Sequence, residues 1–387
     1  MNNYPSHLQK LMQDYPAFKN QNIAGRYLNL DHIVPELKKL TGNFTIEEIG
    51  KSALGESISV IKTGRGKIRI LAWSQMHGNE STTTKAVFDL LNAFGRQNDF
   101  PVVENILENC QIWVIPMLNP DGARAYTRVN ANNVDLNRDS QNLQEVESQI
   151  LRKQFEKFSP HFCLNLHDQR TIFTAGPKAK SATLSFLTPS MDEERKITES
   201  RKESMKVISA IAKDLKEELS EQIGRYDDAF NLNCTGDTFQ NKEVPTILFE
   251  AGHYPNDYNR EITRKYVFAA LISALHTITT GEYKTIDFRN YEKIPENEKL
   301  FNDVILRNCR VNGENVDVSI QFKEELEQDK IIFRLNVEKI QPKIQSFGLK
   351  EVDCKGGKIR AEGQKTLSEN VLVENIFLNE KELSLKP

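Results

Sequence analysis

Seven histidines stand in this 387-residue chain, and only His77 has an acid three residues on, in His77-Gly78-Asn79-Glu80. An H-x-x-E quartet is common by itself, so its place matters more than its presence. It follows directly on the apolar run Ile68–Trp73, where open α/β sheets set their binding crevice. His167 ends Phe162-Cys163-Leu164-Asn165-Leu166 in the same way, and Glu250 ends Thr246-Ile247-Leu248-Phe249. Three strand ends then deliver two imidazoles and two carboxylates to one edge. Two imidazoles and one carboxylate make a catalytic zinc set with an open fourth position. The extra glutamate is the general base such a site needs. The chemistry is hydrolysis.

The segment Asn119–Asp139 holds three arginines and five asparagines, an odd composition for an ordinary loop. An arginine fork and an amide can hold a carboxylate at two points, and a second arginine can stabilise a developing oxyanion. A turn followed by a solvated face is the plainer alternative. Of the other histidines, His161 is expected to pack or cap locally, and His253 to serve at most behind the residues that line the cleft.

Strands and helices must place these groups. Tyr4–Leu40 leans helical, with Asp31 positioned to cap His32–Leu40. Phe44–Ile46, Ser57–Ile61 and Lys67–Trp73 read as strands, and Glu80–Phe94 as a helix capped by Asn79 or Ser81. A strand over Gln111–Leu118 stops at Asn119-Pro120-Asp121-Gly122. A helix over Glu145–Phe158 precedes the His167 strand, and a charged, solvated helix near Glu193–Leu219 and a helix over Asn259–Ile278 flank the Glu250 strand. Continuous apolar strands bounded by helices predict a largely parallel sheet covered on both faces. After Gly281 the pattern changes. Val316–Phe322 alternates strictly, Lys330–Val337 repeats the habit, and Val371–Leu378 is another strand, which together suggest a small β-sandwich.

With 51 Lys+Arg against 54 Asp+Glu, the net charge of −3 offers no basic excess for nucleic acid. Hydrophobic residues at 39% suffice for a packed core. The longest nearly apolar stretch, Val267–Ile278, is too short for a bilayer span, so no membrane association is expected. The N-terminal residues show no basic and apolar signal pattern. Five cysteines, never in a C-x-x-C pair, read as reduced core thiols. Cytoplasm is the expected compartment.

The order of the H-x-x-E loop, the Asn119-Pro120-Asp121-Gly122 turn, the run Arg128-Val129-Asn130-Ala131-Asn132-Asn133-Val134-Asp135-Leu136-Asn137-Arg138, the strand-end His and the strand-end Glu resembles the zinc carboxypeptidases (carboxypeptidase A-like metallopeptidases). The likeness covers about residues 44–280. It implies a mixed, largely parallel eight-stranded sheet sandwiched by helices. It also implies one zinc ion held by His77, Glu80 and His167, with Glu250 as catalytic base and Arg128 as oxyanion donor. Asn137 and Arg138 resemble the pair that binds the free C-terminal carboxylate of a peptide substrate. Tyr226 is the nearest counterpart of the family's substrate-capping tyrosine. Asp237 falls near the specificity pocket, where it either favours a basic terminal side chain or is a turn acid. The expected organisation is an N-terminal helical extension (1–43), a catalytic domain (44–282) and a β-rich accessory domain (283–387). The expected activity is removal of a C-terminal amino acid from peptides. Two alternatives stand beside it: a zinc amidohydrolase acting on muropeptides or N-acyl amino acids, and an inactive peptide-binding protein.

Overall fold

The computed structural model describes residues 4–363 and 367–387. Three short helices, α1 (Ser6–Gln13), α2 (Tyr15–Phe18) and α3 (Leu30–Leu37), open the chain. Strands β1 (Thr45–Lys51), β2 (Ser57–Thr63), β3 (Ile68–Ser74), β4 (Cys110–Ile115), β5 (Phe162–Asp168), β6 (Phe173–Ala175), β7 (Leu184–Leu187), β8 (Ile223–Arg225) and β9 (Thr246–Ala251) follow. Between and after them run α4 (Thr82–Phe94), α5 (Pro101–Asn109), α6 (Pro120–Ala125), α7 (Val146–Phe158), α8 (Glu199–Leu215), α9 (Thr235–Asn241) and α10 (Glu261–Thr280). All these strands except β6 form one eight-stranded sheet in the order β1-β2-β4-β3-β5-β9-β7-β8. Its centre, β4-β3-β5-β9, is parallel, as is the edge pair β7-β8, while β1-β2, β2-β4 and β9-β7 are antiparallel. The sheet is mixed, as the resemblance implied.

Why the central strands are apolar throughout is plain from where their side chains go. Ile70, Ala72 and Leu164 face the layer of α4 and α10, against Val87, Phe88 and Leu271. Leu71, Trp73 and Cys163 face the other way, onto α7 and α9 through Leu151, Phe155 and Phe239. A strand buried on both faces has no solvent side on which to place polar residues. The N-terminal helices are fixed to the first layer by a buried ion pair. Asp89 of α4 takes Arg264 of α10 through two contacts of 2.5 and 2.7 Å, and also accepts from Tyr15 Oη and Asn20 N.

Two expected helix caps are corrected. α3 starts at Leu30, and its cap is Asn29, whose side chain accepts from Asp31 N while His32 returns a contact to Asn29 N. Asp31 instead pairs with Arg124 outside the helix. At α4 neither Asn79 nor Ser81 caps by its side chain. Asp168, at the end of β5, accepts from Thr82 N and Thr83 N at 2.9 and 3.2 Å. A carboxylate from another strand has replaced the local cap, favoured by the positive end of the helix dipole.

Beyond Gly281 come β10 (Asn297–Lys299), β11 (Phe301–Val311), β12 (Glu314–Glu327), β13 (Lys330–Gln341), β14 (Phe347–Asp353), β15 (Ile359–Ala361), β16 (Val371–Val373), β17 (Ile376–Leu378) and β18 (Lys381–Glu382). Strand β10 pairs with β6. A five-stranded sheet, β14-β11-β12-β13-β16, and a three-stranded one, β15-β17-β18, enclose an apolar core that includes Val304, Val318, Val337, Ile359 and Ile376. The strict alternation of β12 does not produce a solvated face. Asp317, Ser319 and Gln321 are buried along with Val316, Val318 and Ile320. Two of the three have partners: Asp317 takes Arg307 at 2.9 Å, and Gln321 donates to Thr171 and Asp303, while Ser319 Oγ is buried without one. Cys110, Cys163, Cys309 and Cys354 are buried, Cys234 is partly so, and all five are free thiols. Among the described residues, no helix is long and apolar enough to cross a membrane.

Candidate active site

Strand ends and one tight loop assemble the site. The chain leaves β3, turns through Gln75 at φ +49°, and presents His77 and Glu80 before α4 begins. Gly78 in this loop touches the turn that starts α6, where a Cβ would come within 1.9 Å of the Gly122 carbonyl carbon. The two motifs are thereby locked together, and Asn119 Nδ2 donates to Met76 O at 3.1 Å across the same junction. His167 and Glu250 sit opposite one another in the parallel pair β5–β9. Register alone places Glu250 beside His167.

His77 Nδ1 lies 2.8 Å from Glu80 Oε1, His167 Nδ1 lies 2.9 Å from Glu80 Oε2, and the two Nδ1 atoms are 3.2 Å apart. These three buried groups bring one ligand atom each within 4.8 Å of one another. Three lone-pair donors converging this closely, out of water, are poorly satisfied by each other and well satisfied by a small divalent cation. Two nitrogens and one carboxylate oxygen suit zinc and leave a coordination position open. The donor set fits the metal that the resemblance implied.

Glu80 is held ionised. Burial alone would raise its pKa, but the charge and hydrogen bonds of His77 and His167 pull it well below the usual range. Glu250 is the opposite case, pushed well above it by burial and then by the charges of Glu80 and Asp168. Its Oε2 is buried and unpartnered. Two carboxylates whose environments drive their pKa values apart suit a ligand and a proton-transfer group.

Arg128 bridges Asp135 Oδ2, at 3.0 Å from Nε, and Glu80 Oε1, at 3.4 Å from Nη1, and is half exposed. Asn137 Oδ1 accepts from Thr235 N at 3.0 Å, which leaves its amide nitrogen available, and Arg138 Nη1 donates to Asn137 O at 2.8 Å. All nine residues singled out in the sequence, His77, Glu80, Arg128, Asn137, Arg138, His167, Tyr226, Asp237 and Glu250, line one cavity of about 970 Å³. Asp237 is buried in the first turn of α9, and that burial raises its pKa to about 7. Burial also raises the phenol of Tyr226, helped by the nearby charges of Glu250 and Glu80.

Residues 35–346 match the family model described as zinc carboxypeptidase. The chain belongs to the zinc carboxypeptidase family. It is 31% identical over 120 residues to probable carboxypeptidase 2 of Arthroderma benhamiae, covering 31% of this chain and 22% of that protein. It is 32% identical over 124 residues to carboxypeptidase SOL1 of Arabidopsis thaliana, covering 29% of this chain and 25% of that one. The chain thus spans about a fifth to a quarter of the length of these zinc carboxypeptidase relatives. Its fold is similar to that of a metallo-carboxypeptidase from Burkholderia cenocepacia, with a TM-score of 0.52 at 15% identity over 66% of this chain and 70% of that one. Carboxypeptidase A from Helicoverpa armigera gives 0.51 at 14% identity over 71% and 80%.

The sequence reading passed over Asp135, although it lies inside the arginine- and asparagine-rich run. Asp135 stands between His77 Nε2 and Arg128 Nε and also accepts from Asn137 N. An acid placed among three basic or amide side chains was the available signal. Asp168 and Arg26 were also passed over. Arg26 is buried, 3.7 Å from Asp168 and paired with Glu324 of β12. No local pattern marks it. His161 Nδ1 accepts from Arg69 N, a local role as expected. His253 is buried against Tyr258, away from the ligand set.

Proposed function

We propose that this chain is a zinc-dependent metallocarboxypeptidase that hydrolyses the C-terminal peptide bond of peptides. One observation carries the reading. A buried His77–Glu80–His167 donor set, an unpartnered buried carboxylate at Glu250 and a free amide–guanidinium pair at Asn137 and Arg138 share one cavity. In this reading Asn137 and Arg138 hold the terminal carboxylate of the substrate by a charge-assisted, two-point contact. Arg128 lies close enough to Glu80 to donate to an oxyanion that develops beside the ligand set. Zinc, when bound by His77, Glu80 and His167, supplies Lewis-acid polarisation of the scissile carbonyl and makes water acidic enough to attack at neutral pH. Glu250 takes the proton of the attacking water and passes it to the leaving amine. Tyr226 covers the bound terminal residue, and Asp237 lines the pocket that receives its side chain.

The test is a substrate panel of dipeptides, longer peptides, muropeptides and N-acyl amino acids, assayed on protein of measured zinc content. The proposal expects zinc-dependent release of a terminal amino acid from peptides and loss of that release in Glu250→Gln. Faster turnover of muropeptides or acyl amino acids would move the assignment to an amidohydrolase of the same fold. Zinc-free protein inert on every substrate would leave a peptide-binding role.

A further inference from the structure

The cavity is lined by two groups of elements, one from the main sheet and its helices and one from the β12–β13 hairpin. At one end Asn137 is held by Thr235 of α9, the helix that packs on the α7 face. At the other, β12 and β13 stand beside the loop that follows β9, and Tyr258, Phe322 and Phe333 all line the cavity there. Their ring centroids are 5.4, 5.6 and 5.8 Å apart, so the three rings form one continuous aromatic face.

That face is fixed in place. Glu324 accepts from Arg26 at 3.1 and 3.2 Å and also from Tyr126 Oη. Arg26 in turn lies 3.7 Å from Asp168, the residue next to His167. Asp303 accepts from Phe322 N at 2.7 Å and from Tyr258 Oη at 3.0 Å, joining the hairpin to the loop after Glu250. An aromatic surface held on both flanks by buried charged groups costs little entropy to use as a binding wall.

We infer that the β12–β13 hairpin is the substrate wall on the amino side of the scissile bond, and that Tyr258, Phe322 and Phe333 select apolar or aromatic side chains in the residues preceding that bond. The inference rests on the carboxypeptidase reading only for the direction in which the peptide lies. With its terminal carboxylate at Asn137 and Arg138 and its scissile bond at the ligand set, the rest of the peptide runs to the opposite end. Rigid rings that wall a cleft discriminate by the apolar area that the substrate buries against them.

Equilibrium binding measured by calorimetry tests this separately from turnover. Zinc-loaded Glu250→Gln protein is titrated with N-acetyl-Phe-Phe-Leu and with N-acetyl-Gly-Gly-Leu, alone and combined with Phe333→Ala. Phe333 is chosen because Phe322 also packs on the accessory core, and Phe377→Ala, whose ring lies against Arg360 outside the cavity lining, is the control. Expected is about tenfold tighter binding of the aromatic peptide, falling to within about twofold in Phe333→Ala and unchanged in Phe377→Ala, where tenfold corresponds to about 1.4 kcal/mol. Equal affinity for the two peptides, no binding of either, or an unaltered ratio in Phe333→Ala with an unchanged melting temperature overturns the inference. A preserved aromatic preference in a wild-type protein that releases no amino acid from any peptide would sink the carboxypeptidase reading and leave the wall standing.

Discussion

Asp135 Oδ1 lies 3.0 Å from His77 Nε2, and this contact turns the other nitrogen of the ring, Nδ1, toward Glu80 and His167. A carboxylate behind a ligating imidazole fixes its tautomer and its orientation and makes it a better donor. The same carboxylate takes Arg128, so one side chain positions both a ligand and the guanidinium assigned to the oxyanion.

Asp135→Ala is therefore expected to weaken zinc binding by about 10- to 100-fold, measured by competition with a chromophoric chelator. The mutant should keep its fold, since Asp135 caps only a short turn at Leu136–Arg138. Undiminished zinc affinity would show that His77 is oriented by its loop alone.

Glu250→Gln should lose about 10²- to 10⁴-fold in kcat while retaining a full equivalent of zinc, because it removes a proton-transfer group and no ligand. Atomic absorption on the purified variant separates the two effects. Loss of zinc together with activity would mean that Glu250 belongs to the donor set.

Arg138→Ala should raise KM for peptides with a free C-terminus by about 10- to 150-fold, the loss of hydrogen bonds to a charged group worth about 1.5–3 kcal/mol. Wild-type protein should correspondingly ignore peptides amidated at the C-terminus. Equal cleavage of free and amidated peptides would remove Asn137 and Arg138 from the carboxylate-binding role.

The pKa of Asp237, raised by burial to about 7, makes a prediction about stability. The native state binds this proton more tightly than the unfolded chain, whose aspartates titrate near 4. The contribution is therefore fully present below about pH 4 and is lost as pH rises through about 7. Asp237→Asn should gain on wild type by up to about 4 kcal/mol between pH 4 and pH 8, read from denaturant midpoints at each pH. A constant difference across that range would mean that Asp237 is ionised in the folded protein throughout.

Glu324→Gln leaves Arg26 with its nearest remaining carboxylate 3.7 Å away, at Asp168. Loss of hydrogen bonds to a charged group of this kind costs about 1.5–3 kcal/mol. A urea titration should show that loss as a lower midpoint, and no change would mean that the hairpin is held by Asp303 and the aromatic contacts alone.

What could be read from the sequence was whatever repeats locally. Apolar runs marked β3, β5 and β9, and His77, His167 and Glu250 follow directly from where those runs end. An arginine- and asparagine-rich composition marked the segment Asn119–Asp139, and the family resemblance singled out Asn137 and Arg138 within it. What could not be read depends on distant pairing. Asp168 caps α4 from a strand some 80 residues away, Arg26 meets Glu324 across nearly 300 residues, and the alternation of β12 concealed buried polar groups whose partners lie in other segments. Asp31 misled because it is a good cap by residue type, whereas Asn29 has the extended backbone that a cap requires.

The Arg26–Glu324 pair also bears on the order in which the enzyme is made. A chain leaving the ribosome N-terminus first exposes His77, Glu80, His167 and Glu250 well before residue 324, so its metal-binding residues are synthesised ahead of the wall that faces them. Arg26 is made nearly 300 residues ahead of Glu324, and Asp168 is the nearer carboxylate in sequence until β12 follows. Closing so long a loop is slow relative to local folding. The cleft therefore stays open on one side until β12 has been made and docked.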